Sequence, residues 1–161
     1  LGKTWKAGDL VPFDYVNMSE TVAVELENGS VMLNIRNEDR DHRRAISISE
    51  DGARKWSAPK LHPELKEPVC MANIIRYNFK TDDQPGRILF SNPDNLVYSG
   101  KFGPSYEPGI SAYSDLAIGN DGSILCLCER GGVNDVMWDT RYVTLGWFNL
   151  EWLEKANGGQ Q

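Results

Sequence analysis

Apolar and polar residues alternate along this chain in short runs. Thr21-Val22-Ala23-Val24-Glu25-Leu26, Val31-Met32-Leu33-Asn34-Ile35, Ile88-Leu89-Phe90 and Ile124-Leu125-Cys126-Leu127 are examples. Turn signals separate them: Glu27-Asn28-Gly29, Asp51-Gly52, Gln84-Pro85-Gly86 and Asn120-Asp121-Gly122. Period two marks strands, and Asn-Gly or Asp-Gly between strands marks hairpins, so the pattern predicts an all-β fold. No window sustains a period of 3.6, so long helices are not expected. Glu64-Leu65-Lys66, between prolines, predicts a loop or a single turn, and Asp82-Asp83 a turn. The folded domain is expected over residues 1–154, with a frayed Gly/Gln-rich tail at 155–161.

The turns align into a repeat. Val22 to Leu33, centred on Asn28-Gly29-Ser30, resembles Asp115 to Cys126, centred on Asp121-Gly122-Ser123, at an offset of 93 residues. A third copy pivots on Gly86, which lies 57 residues after Gly29 and 36 before Gly122. Strand repeats of about 40–50 residues predict β-propeller blades. A blade cannot bury its faces alone, so blades must close in a ring. A second pattern is interleaved: Ser49-Glu50-Asp51-Gly52-Ala53-Arg54-Lys55-Trp56, with Gly2-Lys3-Thr4-Trp5 as the tail of an earlier copy. Asp and Ser can bond turn backbone, Gly supplies an unusual φ, and Trp is expected to pack beneath the turn.

Composition narrows the function classes. The 161 residues are 40% hydrophobic and 25% charged, with a net charge of −6. That is enough apolar material for a core, and disorder is not the expectation. No run of about 18 apolar residues exists for a membrane span. The negative balance, without a Lys/Arg stripe, argues against nucleic acid as a partner. Three cysteines make no disulfide framework. Cys126 and Cys128 share a strand face, but two thiols without a nearby His are too few for zinc, so both read as buried thiols. His42 and His62 lie in polar contexts and read as solvated. No metal or cofactor is called for. The chain starts at Leu1 without Met or a signal peptide, as an internal piece would.

Ser-x-Asp-x-Gly-x-Thr-Trp is the Asp-box of bacterial-type sialidases, or neuraminidases, and residues 49–56 resemble it with Ala53 for the Gly and Lys55 for the Thr. The run from Ser19 to Arg36 resembles the family's glutamate strand, hairpin and arginine. Glu67-Pro68-Val69-Cys70, Phe90-Ser91-Asn92-Pro93, Ser111-Ala112-Tyr113-Ser114, Cys128-Glu129-Arg130-Gly131 and Phe148 to Leu153 resemble further family segments, in family order. From Gly2 to Leu153 the chain resembles the C-terminal half of a six-bladed catalytic propeller, or roughly three blades. The resemblance implies exo-α-sialidase chemistry on sialylated glycans or glycolipids, and it suits a secreted or periplasmic location.

The repeat itself pairs candidate residues. Adding 93 to Glu20 lands on Tyr113, and adding it to Arg36 lands on Glu129. Equivalent ends of inner strands converge at one end of a propeller axis, so these four should meet in one cleft. Sialic acid carries a carboxylate on its anomeric carbon and would repel an anionic nucleophile, and sialidases use Tyr instead. A free phenol, with a pKa of about 10, needs a base. The resemblance makes Tyr113 the nucleophile, Glu20 its base, Arg36 one member of an arginine triad that grips the substrate carboxylate, and Glu129 the support of another triad arginine. The family's first triad arginine and its acid/base aspartate belong to the half that is absent here. The remaining one follows the Phe-Ser-Asn-Pro segment in the family, but no Arg occurs here between Arg87 and Arg130. A non-catalytic, sialoside-binding or structural propeller is the alternative reading.

Overall fold

The computed structural model describes residues 2–12, 15–93, 111–131 and 140–158. Three antiparallel sheets follow one another along the chain. The first holds β1 (Thr21–Glu25), β2 (Val31–Ile35), β3 (Arg43–Ser49) and β4 (Lys60–Lys66), in that order. The second is a pair, β5 (Asn73–Asn78) and β6 (Arg87–Ser91). The third holds β7 (Ser111–Ile118), β8 (Ile124–Arg130) and β9 (Tyr142–Phe148), and a short helix α1 (Leu150–Gly158) follows. The first strands of the units adjoin, β1 against β5 and β5 against β7.

Hairpin chemistry reproduces the repeat atom by atom. In the first unit Leu26 N donates to Ser30 O at 2.8 Å and Gly29 N to Leu26 O at 3.0 Å. In the third, 93 residues on, Gly119 N donates to Ser123 O at 2.8 Å and Gly122 N to Gly119 O at 3.0 Å. The Asn28 and Asp121 side chains play the same part, accepting from Ser30 N at 3.1 Å and Ser123 N at 3.0 Å. Gly29 and Gly122 hold φ of 81° and 80°, a conformation that costs any L-residue. Gly86 differs. Its φ is not positive, and the β5–β6 connection spans 79–86, longer than the 26–30 of the first hairpin. A side chain at Gly86 would collide with that of Glu27.

The core lies between the second and third units. Leu116, Ile124, Cys126 and Cys128 are buried, with Ile75, Tyr77 and Leu89 packed from the second unit and Phe148, Leu150 and Leu153 from the third. Burying one such aliphatic side chain is worth about 1.5–3 kcal/mol. Polar links accompany the packing: Asn73 Nδ2 donates to Asp115 Oδ1 at 2.6 Å and Tyr77 Oη to Gly122 O at 2.9 Å. Between the first and second units Arg76 donates to Glu27 Oε1 at 3.0 Å and sits over the Phe79 ring. All three cysteines are buried, and desolvation pushes the Cys126 thiol up to about 11. No metal-binding cluster occurs among the described residues.

Several sequence expectations change. Glu64-Leu65-Lys66 is not a loop but the end of edge strand β4, where a register shift between Arg43 and Ala45 accommodates Pro63. His62 is not simply solvated: its Nδ1 accepts from Glu64 N at 3.2 Å and Leu65 N at 3.3 Å. His42, at φ 49°, is half-buried, and its carbonyl accepts from Glu67 N at 3.0 Å. Trp5 is 90% exposed, whereas Trp56 is half-buried. Residues 155–158, expected to fray, continue α1, whose Asn149 cap accepts from Trp152 N at 2.9 Å. The 49–56 turn forms as an Asp-centred knot, with Asp51 Oδ1 accepting from Arg54 N at 3.0 Å and Lys55 N at 2.9 Å. Those amides, Lys55 first, hold the Asp51 carboxyl below its ordinary range. The chain from Asn95 to Gly109, where an arginine is missing by sequence, lies outside the described residues.

Candidate active site

Glu20 and Arg36 are cross-strand neighbours just beyond the last pair of β1 and β2. Arg36 N donates to Glu20 O at 3.1 Å and Ser19 N to Arg36 O at 3.0 Å, so the ladder places both side chains at one sheet end. Tyr113 lies in β7 where the register slips between Ser111 and Ser114. A bulge of this kind frees a residue from the pleat and re-aims its side chain. Glu129, on β8, accepts from Tyr113 N through Oε2 at 3.3 Å and braces that bulge.

The two strand ends meet. Tyr113 Oη donates to Glu20 Oε1 at 2.6 Å, and Arg36 Nη1 donates to Glu20 Oε2 at 2.9 Å. The Glu20 carboxyl thus bridges a phenol and a guanidinium. Tyr113 is 43% exposed, so the cluster opens to solvent. The hydrogen bond to Glu20 raises the Tyr113 pKa, because it favours the protonated phenol, and desolvation adds to it. All four residues singled out by the offset lie in this arrangement. Arg36 Nη2 also faces Glu38 Oε1 at 3.9 Å, and Arg36 Nε is buried with no hydrogen-bond partner among the described residues.

Sequence reasoning missed the layer beside it. Arg44 and Glu67 are both fully buried and pair at 2.6 Å. Arg44 also donates to Asn34 Oδ1 at 2.6 Å and Cys70 O at 3.1 Å, and Glu67 accepts from Cys70 N at 3.1 Å and Asn37 N at 3.4 Å. Asn34 and Asn37 flank Arg36, so the ion pair ties its backbone to the 67–70 segment. Desolvation dominates both shifts, pushing the Glu67 carboxyl up and the Arg44 guanidinium down against their mutual attraction. Val69, β-branched, is held at φ 57° within that segment. The strand alternation around Arg43-Arg44 carries no sign of which arginine turns inward; Glu67-Pro68-Val69-Cys70 stood out only through the family resemblance.

No family model matches the chain. Among curated proteins, a sialidase of Micromonospora viridifaciens is 31% identical over 170 aligned positions, covering 94% of this chain and 24% of that protein. A sialidase of Bacteroides fragilis is 34% identical over 96 positions, covering 58% of this chain and 17% of that protein. The chain therefore spans about a quarter or less of the length of these relatives. Among solved structures, the NanB sialidase of Streptococcus pneumoniae superposes with a TM-score of 0.68 at 18% identity, covering 93% of this chain and 26% of that one. The intramolecular trans-sialidase of Ruminococcus gnavus, solved with oseltamivir carboxylate, gives 0.66 at 21%, covering 84% and 33%. With three antiparallel sheets and this likeness along nearly its whole length, the chain is similar to the bacterial-type sialidases and carries part of their β-propeller fold.

Proposed function

We propose that this chain supplies one side of an exo-α-sialidase active site that removes terminal sialic acid from glycans or glycolipids with retention of configuration. The observation that carries the reading is the 2.6 Å hydrogen bond from Tyr113 Oη to Glu20 Oε1, with Arg36 on the other carboxyl oxygen. Tyr113 Oη attacks the anomeric carbon while Glu20 takes the phenol proton. The bond to the leaving oxygen breaks, and that oxygen takes a proton from an acid outside this chain. Water then attacks the tyrosyl glycoside and gives one proton to that same outside group, now a base, while the bond to Tyr113 breaks and the departing phenolate recovers its proton from Glu20. Two displacements restore the original configuration.

The raised Tyr113 pKa suits this order of events, since the phenol stays protonated until Glu20 accepts the proton during attack. Arg36 faces the substrate carboxylate with a planar fork, and Glu129 holds the Tyr113 backbone in its bulge. The test is turnover of a fluorogenic sialoside by a complete catalytic domain that carries this segment. Tyr113→Phe removes only the hydroxyl, and turnover is expected to fall more than roughly a hundredfold with the fold intact. Near-normal turnover in a folded Tyr113→Phe protein overturns the assignment.

A further inference from the structure

The three nitrogens of the Arg36 guanidinium have three different surroundings. Nη1 donates to Glu20 Oε2 at 2.9 Å, and Nε is buried without a hydrogen-bond partner among the described residues. Nη2 faces Glu38 Oε1 at 3.9 Å, too far for a hydrogen bond. Glu38 does not close that gap because it is held from the other side. Asn17 Nδ2 donates to the same oxygen, Oε1, at 2.7 Å, and Glu38 N donates to Val16 O at 2.8 Å. Asn17 holds φ of 48°, a conformation that Asn accepts more readily than most residues. The Arg36 and Glu38 side chains are 20% and 40% exposed, so a solute can reach both. Both Glu20 oxygens are already engaged, one by Tyr113 Oη and the other by Arg36 Nη1. The buried charges of Arg44 and Glu67 oppose each other at 2.6 Å. Glu38 is thus a negative charge fixed beside the open edge of Arg36.

We propose that Glu38 sets how tightly Arg36 holds a carboxylate ligand, loosening the grip on the substrate and on released sialic acid alike. The inference rests on the reading of Arg36 as a carboxylate clamp. A ligand oxygen bonded to Nη2 at about 2.8 Å lies no more than about 7 Å from Glu38 Oε1, which is itself 3.9 Å from Nη2. Like charges at that range weaken a binding constant roughly threefold in bulk water and roughly fiftyfold at an effective dielectric of about 20. Glu38 is partly solvated, so the expected penalty is about tenfold. Glu38 acts through charge rather than by orienting Arg36, because Glu20 Oε2 and the backbone bonds to Ser19 and Glu20 already fix that side chain and its strand. The substrate carboxylate keeps its charge through the reaction. The penalty therefore falls on ground state and transition state together, and KM carries it more than kcat.

Two inhibitors test this on a complete catalytic domain that carries this segment: the glycal analogue of sialic acid, with its carboxylate, and the same glycal as its neutral carboxamide. In Glu38→Gln the inhibition constant of the carboxylate form is expected to fall about tenfold, and that of the carboxamide to stay within about twofold. KM for a fluorogenic sialoside is expected to fall with the first, and kcat to move less than KM. Added salt screens the repulsion in the parent, so the gap between parent and Glu38→Gln is expected to narrow. A carboxylate constant that stays put or rises in Glu38→Gln, or equal shifts for the two inhibitors, overturns the proposal and leaves the clamp standing. Equal affinity of the parent for carboxylate and carboxamide overturns the clamp itself, and the proposal with it.

Discussion

Tyr113 and Glu20 show how far a single side chain can be argued. The phenol donates to the carboxyl at 2.6 Å, and this bond is the first cause of the raised Tyr113 pKa. Replacing Glu20 by Gln removes the negative charge, so the Tyr113 pKa is expected to fall toward the free value of about 10. Following one labelled tyrosine by NMR during a pH titration checks this, and an unmoved Tyr113 signal contradicts the coupling. The sign for stability follows. The folded phenol holds its proton more tightly than the unfolded one, so the contribution is full below about pH 10 and is lost as pH rises through the raised folded value. Ala53 offers a second test at this scale. Its φ of 72° costs an L-residue about 1–2 kcal/mol, of which glycine's greater unfolded freedom returns about 0.5–1. Ala53→Gly is therefore expected to raise stability by about 0.5–1 kcal/mol in urea unfolding.

Among elements, the joint between β2, β3 and the segment after β4 depends on one buried ion pair. Arg44 and Glu67 have no solvent contact, and each also bonds backbone or amide groups of residues 34, 37 or 70. Removing one partner leaves a buried charge, so Glu67→Leu is expected to cost about 3–5 kcal/mol. Replacing both, as Arg44→Met with Glu67→Leu, is expected to recover most of that loss, because the desolvation of two charges disappears with their attraction. A double-mutant cycle by chemical denaturation measures the difference. A single variant as stable as the parent argues that the pair is hydrated in solution.

For the whole molecule, the repeat fixes what one chain can and cannot do. Its units bring Glu20, Arg36, Tyr113 and Glu129 to one end, but the resemblance assigns the general acid and the first arginine to sequence absent here. The 161 residues alone are thus expected to hydrolyse a fluorogenic sialoside at least roughly 10²–10⁴-fold more slowly than complete sialidases, the usual worth of a general acid. Turnover by the isolated chain at the rate of a complete enzyme contradicts the division of roles.

The strands, the hairpin turns and the offset of 93 were determined by the sequence itself, because period two and Asn-Gly or Asp-Gly turns are local properties of neighbouring residues. That offset also paired Glu20 with Tyr113 and Arg36 with Glu129, since residues at matching places in a repeated unit share a sheet end. Only the tertiary structure decided that the Tyr113 hydroxyl reaches Glu20 across the second unit, and that a bulge aims it there. It alone chose Arg44 over Arg43 for burial, bent Val69 and Ala53 to positive φ, and kept Glu64-Leu65-Lys66 in a strand despite Pro63. The physical reason is range. Local pattern sets the conformation of each segment, whereas the burial of a charge, the strain of a turn and the meeting of two side chains depend on which sheets stack together.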